Sequence, residues 1–163
     1  MSSKKSAGGS SQEMTWQLTL EIASINVHLE QLRQFWARAL GITSPQWMLL
    51  MAIADTDDKH GVPLNAVSKR LHIDPSFVTT QSKLLEKKGF LRRKVSSSDA
   101  RVLLVSLTDK TAKHLARLAE QQQLLSEFIF EEFSDRELSD LKGKLGTLKI
   151  RLEKACRKIE LDL

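Results

Sequence analysis

The chain has one cysteine (Cys156), three prolines and no tyrosine among its 163 residues. A lone cysteine excludes a disulfide framework and a cysteine-rich zinc site within one chain. There is also no run of about 18 consecutive apolar residues, so no membrane-spanning helix is expected. A Gly-rich phosphate loop, a His-x-x-x-His pair and a Gly-x-Ser-x-Gly elbow are all missing, and nothing marks an enzyme. The four histidines, His28, His60, His72 and His114, share no metal-ligand spacing, so neither metal nor cofactor is expected. Residues 1–12 are rich in Ser, Gly and Lys and read as a disordered tail. They lack the apolar stretch of a secretory signal. A reducing, cytoplasmic setting fits these absences.

What is present is basic and unevenly placed. Lys69 to Lys110 holds ten Lys or Arg against four Asp or Glu, whereas the whole chain is only +5. All the excess positive charge sits in this stretch, the electrostatic footprint expected of nucleic-acid binding.

Around that stretch the periodicity is helical. Leu18, Ile22, Ile25, Leu29, Leu32 and Trp36 alternate by four and three along a helix from about Gln12 to Leu40, which Gly41 ends. Ser44-Pro45 reads as an N-cap followed by proline, opening a short apolar helix. Val62-Pro63-Leu64 reads as a brief extended segment. Two short helices follow, Leu64 to Leu71 and, after an Asp74-Pro75 cap, Pro75 to Lys88. In the second, Phe77, Val78, Leu84 and Leu85 are expected inside, with Ser76, Thr79, Thr80, Gln81 and Lys83 outside. Lys87 and Lys88 stand where the helix dipole favours cations. The period then changes to two over Phe90–Val95 and Val102–Leu107, with a polar turn between them that carries Arg101. Thr108 caps a further helix. Ser134 and Glu137 form a capping box for the last one, where Leu138, Leu141, Leu145, Leu148, Leu152, Ala155 and Ile159 keep a three-four alternation. Such seams at both ends of a chain ask for each other and for a second subunit.

The fold expected is mainly α with a small β-hairpin: a winged helix-turn-helix over 44–107, flanked by dimerisation helices over 13–43 and 108–163. From Gly41 to Thr108 the chain resembles the multiple antibiotic resistance regulator (MarR) family. The resemblance is carried by Gly41-Ile42-Thr43-Ser44-Pro45-Gln46-Trp47, by Leu84-Leu85-Glu86-Lys87-Lys88-Gly89-Phe90-Leu91, and above all by Asp99-Ala100-Arg101 followed by Val105-Ser106-Leu107-Thr108. It implies a homodimer on a near-palindromic double-stranded operator, with recognition helices in major grooves and wings at minor grooves. It also implies, for many members, release by a small phenolic or aromatic carboxylate. Where many relatives carry arginine on the recognition helix, this chain has Thr80.

Each expected site residue has a chemical reason. Gln81 can read an adenine edge, and Thr79 and Thr80 can bond bases or meet a thymine methyl. Ser76 near a helix N-terminus suits a phosphate oxygen. Lys83, Arg92, Arg93 and Lys94 suit phosphate neutralisation, and Arg101 a narrow minor groove. Asp99 is expected to hold Arg101 rather than to meet DNA, since a carboxylate is repelled by phosphate. The family resemblance places an effector near His28, Arg38, Trp47 and Met51, where a cation or imidazole would hold a carboxylate and Trp with Met an aromatic ring. Trp47 and Met51 read equally as plain core. Two alternatives stand beside the repressor: a winged-helix protein-interaction module, and a thiol-redox regulator using Cys156. Thiol-sensing relatives carry their reactive cysteine near the N-terminus, so Cys156 reads rather as a packed thiol.

Overall fold

The computed structural model describes residues 6–56 and 61–162, with side chains over 11–56 and 61–160. Its elements are α1 (Ser6–Ala39), α2 (Ser44–Ala54), β1 (Val62–Pro63), α3 (Leu64–Leu71), α4 (Pro75–Lys87), β2 (Leu91–Val95), β3 (Leu103–Leu107), α5 (Asp109–Phe130) and α6 (Asp135–Asp162). The chain divides into two compact units, 1–113 and 114–163.

The first unit holds the winged helix-turn-helix. Its core is built from the end of α1 (Trp36, Ala37), from Trp47, Leu49, Leu50 and Ile53 of α2, from Val67 of α3, from Val78 and Leu85 of α4, and from Leu91 and Val105 of the sheet. These positions are apolar at helical or alternating spacing, and that is why the elements converge on one another. The second unit holds the rest of α5 and all of α6. Ser134 opens α6 with a full capping box: its backbone N–H donates to the Glu137 carboxylate at 2.9 Å, and the Glu137 N–H donates back to Ser134 Oγ at 3.4 Å.

Four expectations need correcting. Thr43, not Ser44, caps α2, because Thr43 Oγ1 accepts from Gln46 N while the Gln46 side chain accepts from Thr43 N. That reciprocal box satisfies two donors where Ser44 alone would satisfy one. The sheet has three strands in the order β1-β3-β2, not two, since Val62 and Pro63 pair antiparallel with Val105 and Leu104. Of the expected tail, residues 1–5 lie outside the described residues, and from Ser6 onward the chain is already helix. Once α1 is nucleated, each added residue needs only one further hydrogen bond. Finally, Phe77 and Leu84 are not inside α4: they stand 41% and 44% exposed, and Val78, Ser82 and Leu85 are buried instead.

The polar segment 57–60, which contains His60, lies outside the described residues. After it, Gly61 takes φ +87°, with Val105 O only 3.2 Å from where a Cβ would stand. Gly89 ends α4 at φ +78°, where Phe90 N donates to Leu85 O and Gly89 N to Glu86 O, each at 2.9 Å. Gly89→Ala meets no steric neighbour, yet it forces a left-handed backbone on an L side chain. It should lower stability by about 1 kcal/mol, which urea unfolding would read as a lower midpoint at unchanged slope.

Candidate nucleic-acid interface

Asp74 sets the start of α4. Its carboxylate accepts from Ser76 N at 2.8 Å and Phe77 N at 3.2 Å, and it also takes the Ser76 hydroxyl. The Ser76 hydroxyl above all, then these two amides, holds the Asp74 carboxyl below its ordinary value. The cap is therefore complete at neutral pH and is lost only as pH falls through that lowered value.

Burial fixes which way α4 faces. With Val78, Ser82 and Leu85 inward, the residues pointing away are Ser76, Thr80, Lys83 and Lys87, at spacings of four, three and four. Phe77 and Leu84 form one margin of this face. Lys87, expected only to answer the helix dipole, belongs to it as well, and its spacing from Ser76 is the signal that places it there. Thr79 and Gln81 lie at the flanks, both half-buried. The Thr79 and Thr80 hydroxyls donate back to Pro75 O at 2.8 Å and Ser76 O at 3.0 Å, which leaves their oxygens able to accept. Gln81 Oε1 accepts from Gln46 Nε2 at 3.0 Å.

The wing follows. Alternation along β2 puts Arg92 and Lys94 on one side, both exposed, and Arg93 on the other. Arg93 turns back to α4: its backbone N–H donates to Glu86 Oε1 at 3.2 Å, and its guanidinium lies 3.6 Å from Glu86 Oε2. Arg92 stands 3.4 Å from Asp109. In the turn, the Arg101 side chain is 91% exposed and donates from Nε to Asp99 Oδ1 at 3.1 Å. That guanidinium first, and the Arg101 backbone N–H next, keeps the Asp99 carboxyl below its ordinary value. Ser96 N to Val102 O at 2.8 Å and Val102 N to Asp99 O at 2.9 Å close the turn. The exposed cations of α4 and the wing thus belong to one lobe, in which the Glu86–Arg93 contact joins α4 to β2.

The four residues expected around an effector are not brought together. His28 and Arg38 are both exposed on α1, ten residues and so about 15 Å apart along the axis. His28 Nδ1 lies 2.9 Å from Ser24 O, and Arg38 donates to Gln34 at 3.5 Å. Trp47 is core and Met51 half-buried. A cavity of about 210 Å³ opens elsewhere, between Leu64 and Asn65 of α3, Pro75 and Thr79 of α4, and Arg101 and Leu103 of the wing. Among the described residues no cluster of His, Cys, Asp or Glu could hold a metal ion, and no helix is long and apolar enough to cross a membrane.

Comparison with known proteins agrees with this geometry. The family model for MarR matches residues 42–103, which run from the loop before α2 to the start of β3. The HTH-type transcriptional regulator SarZ of Staphylococcus aureus is 33% identical over 106 residues, covering 64% of this chain and 67% of SarZ. The chain belongs to the MarR family. This MarR-family protein is accordingly a DNA-binding transcription regulator. Its fold is shared with solved members at lower identity. The S. aureus MepR–DNA complex gives a TM-score of 0.70 at 19% identity, covering 82% of this chain and 96% of MepR. A mutant MarR from E. coli complexed with operator DNA gives 0.67 at 22%, covering 81% of this chain and 93% of that one.

Proposed function

We propose that this regulator is a homodimeric repressor that reads a near-palindromic operator through α4 and the wing and is released by a small aromatic or phenolic carboxylate. The observation that carries the reading is the continuous outward face of Ser76, Thr80, Lys83 and Lys87, with the almost fully exposed Arg101 on the same lobe. On it Thr80 offers its methyl group and lone pairs to a base edge, and Lys83 neutralises a phosphate. Arg92 and Lys94 extend the positive surface along the wing, and Arg101 enters a minor groove. Ser76, its hydroxyl already given to Asp74, accepts rather than donates. Arg93 and Thr79 support the lobe more than they meet DNA. The solved relatives described with DNA, MepR and MarR, support a nucleic-acid partner.

Dimerisation is supported by exposure. Met14, Leu18, Ile22, Ile25 and Leu29 on α1, and Leu141, Leu145, Leu152 and Ile159 on α6, are all exposed in the single chain. Apolar seams of this length stay wet unless a second copy covers them. For the effector, the cavity beneath the wing is a better host than the dispersed set on α1 and α2. It has room for one aromatic ring, and Arg101 would meet a carboxylate there. An effector that takes Arg101 removes it from the minor groove, which gives a direct route to release. A purely protein-binding module fits less well, because the outward face of α4 is polar and cationic. A thiol trigger at the exposed Cys156 is the remaining alternative to a small acid.

The test is a mobility-shift titration against the chain's own upstream intergenic DNA, repeated with a panel of aromatic acids and with an alkylated sample. No sequence-selective binding at low salt would sink the repressor reading. Lys83→Ala should weaken binding evenly across sequences and reduce the salt slope by about one unit per subunit. An unchanged slope would place Lys83 away from phosphate.

A further inference from the structure

The recognition helix is joined to α2 by one side-chain hydrogen bond whose direction is fixed by the backbone. Thr43 N is a donor only, so the Gln46 amide must turn its oxygen toward it, at 3.2 Å. Gln46 Nε2 then faces Gln81 and donates to Gln81 Oε1 at 3.0 Å. Gln46 is 3% exposed, so its amide has little freedom to turn. Gln81 is left with its amide nitrogen outward. That nitrogen has no other partner among the described residues and is not among the buried unpaired polar atoms, so it reaches solvent. A neutral amide of either orientation would suit an isolated glutamine; here only one survives.

We propose that Gln46 is a positioning residue that sets the hydrogen-bonding polarity of Gln81, so that Gln81 meets DNA as a donor and selects an acceptor there. The inference rests on the DNA-binding reading of α4 given above. With its amide oxygen turned inward to Gln46 and its nitrogen outward, Gln81 presents donor hydrogens to the duplex rather than the side-by-side donor and acceptor that a free glutamine turns to adenine. Its partner is a single acceptor on the duplex, either a phosphate oxygen or a base-edge atom such as guanine O6 or thymine O4. The capping box at the start of α2 thereby reaches the DNA surface through two side chains. Whatever moves Thr43 relative to α4 alters what Gln81 presents.

Gln46→Glu tests this with little steric change. A glutamate in this position still accepts from Thr43 N, completing the same capping box. It cannot donate to Gln81, whose amide then turns its nitrogen inward and its oxygen outward. Gln81→Glu is the second variant should the first not fold: it keeps the bond from Gln46 and presents an acceptor outward. Gln81→Leu removes the polar end altogether. All three, with the double variant Gln46→Glu/Gln81→Leu, would be titrated on a duplex enriched from a random pool by the wild-type chain and on its single-base variants, after a thermal melt of each.

Gln46→Glu and Gln81→Leu should each weaken binding about tenfold, and the double variant should lose no more than either. A base-edge acceptor would show as altered preference at one position per half-site, and a phosphate oxygen as an even loss across the panel. Gln46→Glu binding like wild type while folded, or a double variant that loses the product of the two single effects, would overturn the proposal. So would Gln81→Glu matching wild type in affinity and preference. A wild-type chain that enriches no duplex at all would instead overturn the DNA-binding reading beneath it.

Discussion

Replacing Leu145 and Leu152 of α6 by glutamate should leave a folded monomer that binds operator at least about a hundredfold more weakly than wild type. The two leucines are 47% and 56% exposed in the single chain, on the seam that also carries Leu141 and Ile159. Neither belongs to the core that holds the winged helix-turn-helix together, so that unit should keep its melting behaviour. The loss comes from linkage. A dimer holds its second recognition helix near the second half-site at millimolar effective concentration, and two free monomers do not. Sedimentation or light scattering at micromolar concentration reads the assembly state, and titration on full and half operators reads the consequence. The monomer should bind a half-site and a full site with nearly equal affinity per site. A dimer that survives both substitutions would show that the seam of α6 is covered by something else.

The second large effect is expected at the wing. Arg101→Ala should weaken operator binding by on the order of a hundredfold for a dimer, because each subunit forfeits one charged hydrogen bond to DNA at about 1.5 kcal/mol. The loss should be greatest on operators with A·T-rich flanks, whose narrow minor grooves carry the deepest negative potential. The side chain is held by Asp99 and stands almost fully in solvent, so stability should be unaffected. Asp99→Ala provides the contrast. It releases the guanidinium without deleting it, so binding should fall by less, and Arg101 should lose its fixed orientation. Equal losses in the two variants would mean that Asp99 is needed for the path of the turn rather than for aiming the arginine.

Much of this molecule is legible in its sequence, and the reasons differ by element. Asp74-Pro75, Gly89 and the Ser134–Glu137 pair mark helix ends by local chemistry, which acts over three or four residues and does not depend on the fold. The strands β2 and β3 are readable from alternation. β1 is not readable as a third strand, because two residues carry no periodicity and its pairing with Val105 is long-range. The facing of α4 is the harder matter. Four apolar residues, Phe77, Val78, Leu84 and Leu85, occur as two adjacent pairs, and neighbours on a helix are about 100° apart. Only one of each pair can be inside. The buried Ser82 decides between them, since it completes Val78–Ser82–Leu85 at four and three, and a small polar residue gives no reason to expect that. The tie between Gln46 and Gln81 spans 35 positions of sequence, and only coordinates reveal it. The candidates His28, Arg38, Trp47 and Met51 rest on family resemblance rather than on local physics, and the single chain does not gather all four at one place.

The order β1-β3-β2 leaves two free strand edges, and both are poor templates for a neighbouring chain. β1 is two residues long, and one of them, Pro63, has no N–H to offer. β2 carries Arg92, Arg93 and Lys94 in succession, so a second sheet would meet a row of like charges. The sheet is thereby kept from adding strands from other copies of the chain. On the reading proposed above, the wing's basic residues should act on solubility as well as on affinity. Neutralising them should show itself in the concentration at which the protein clouds as well as in its titration with DNA.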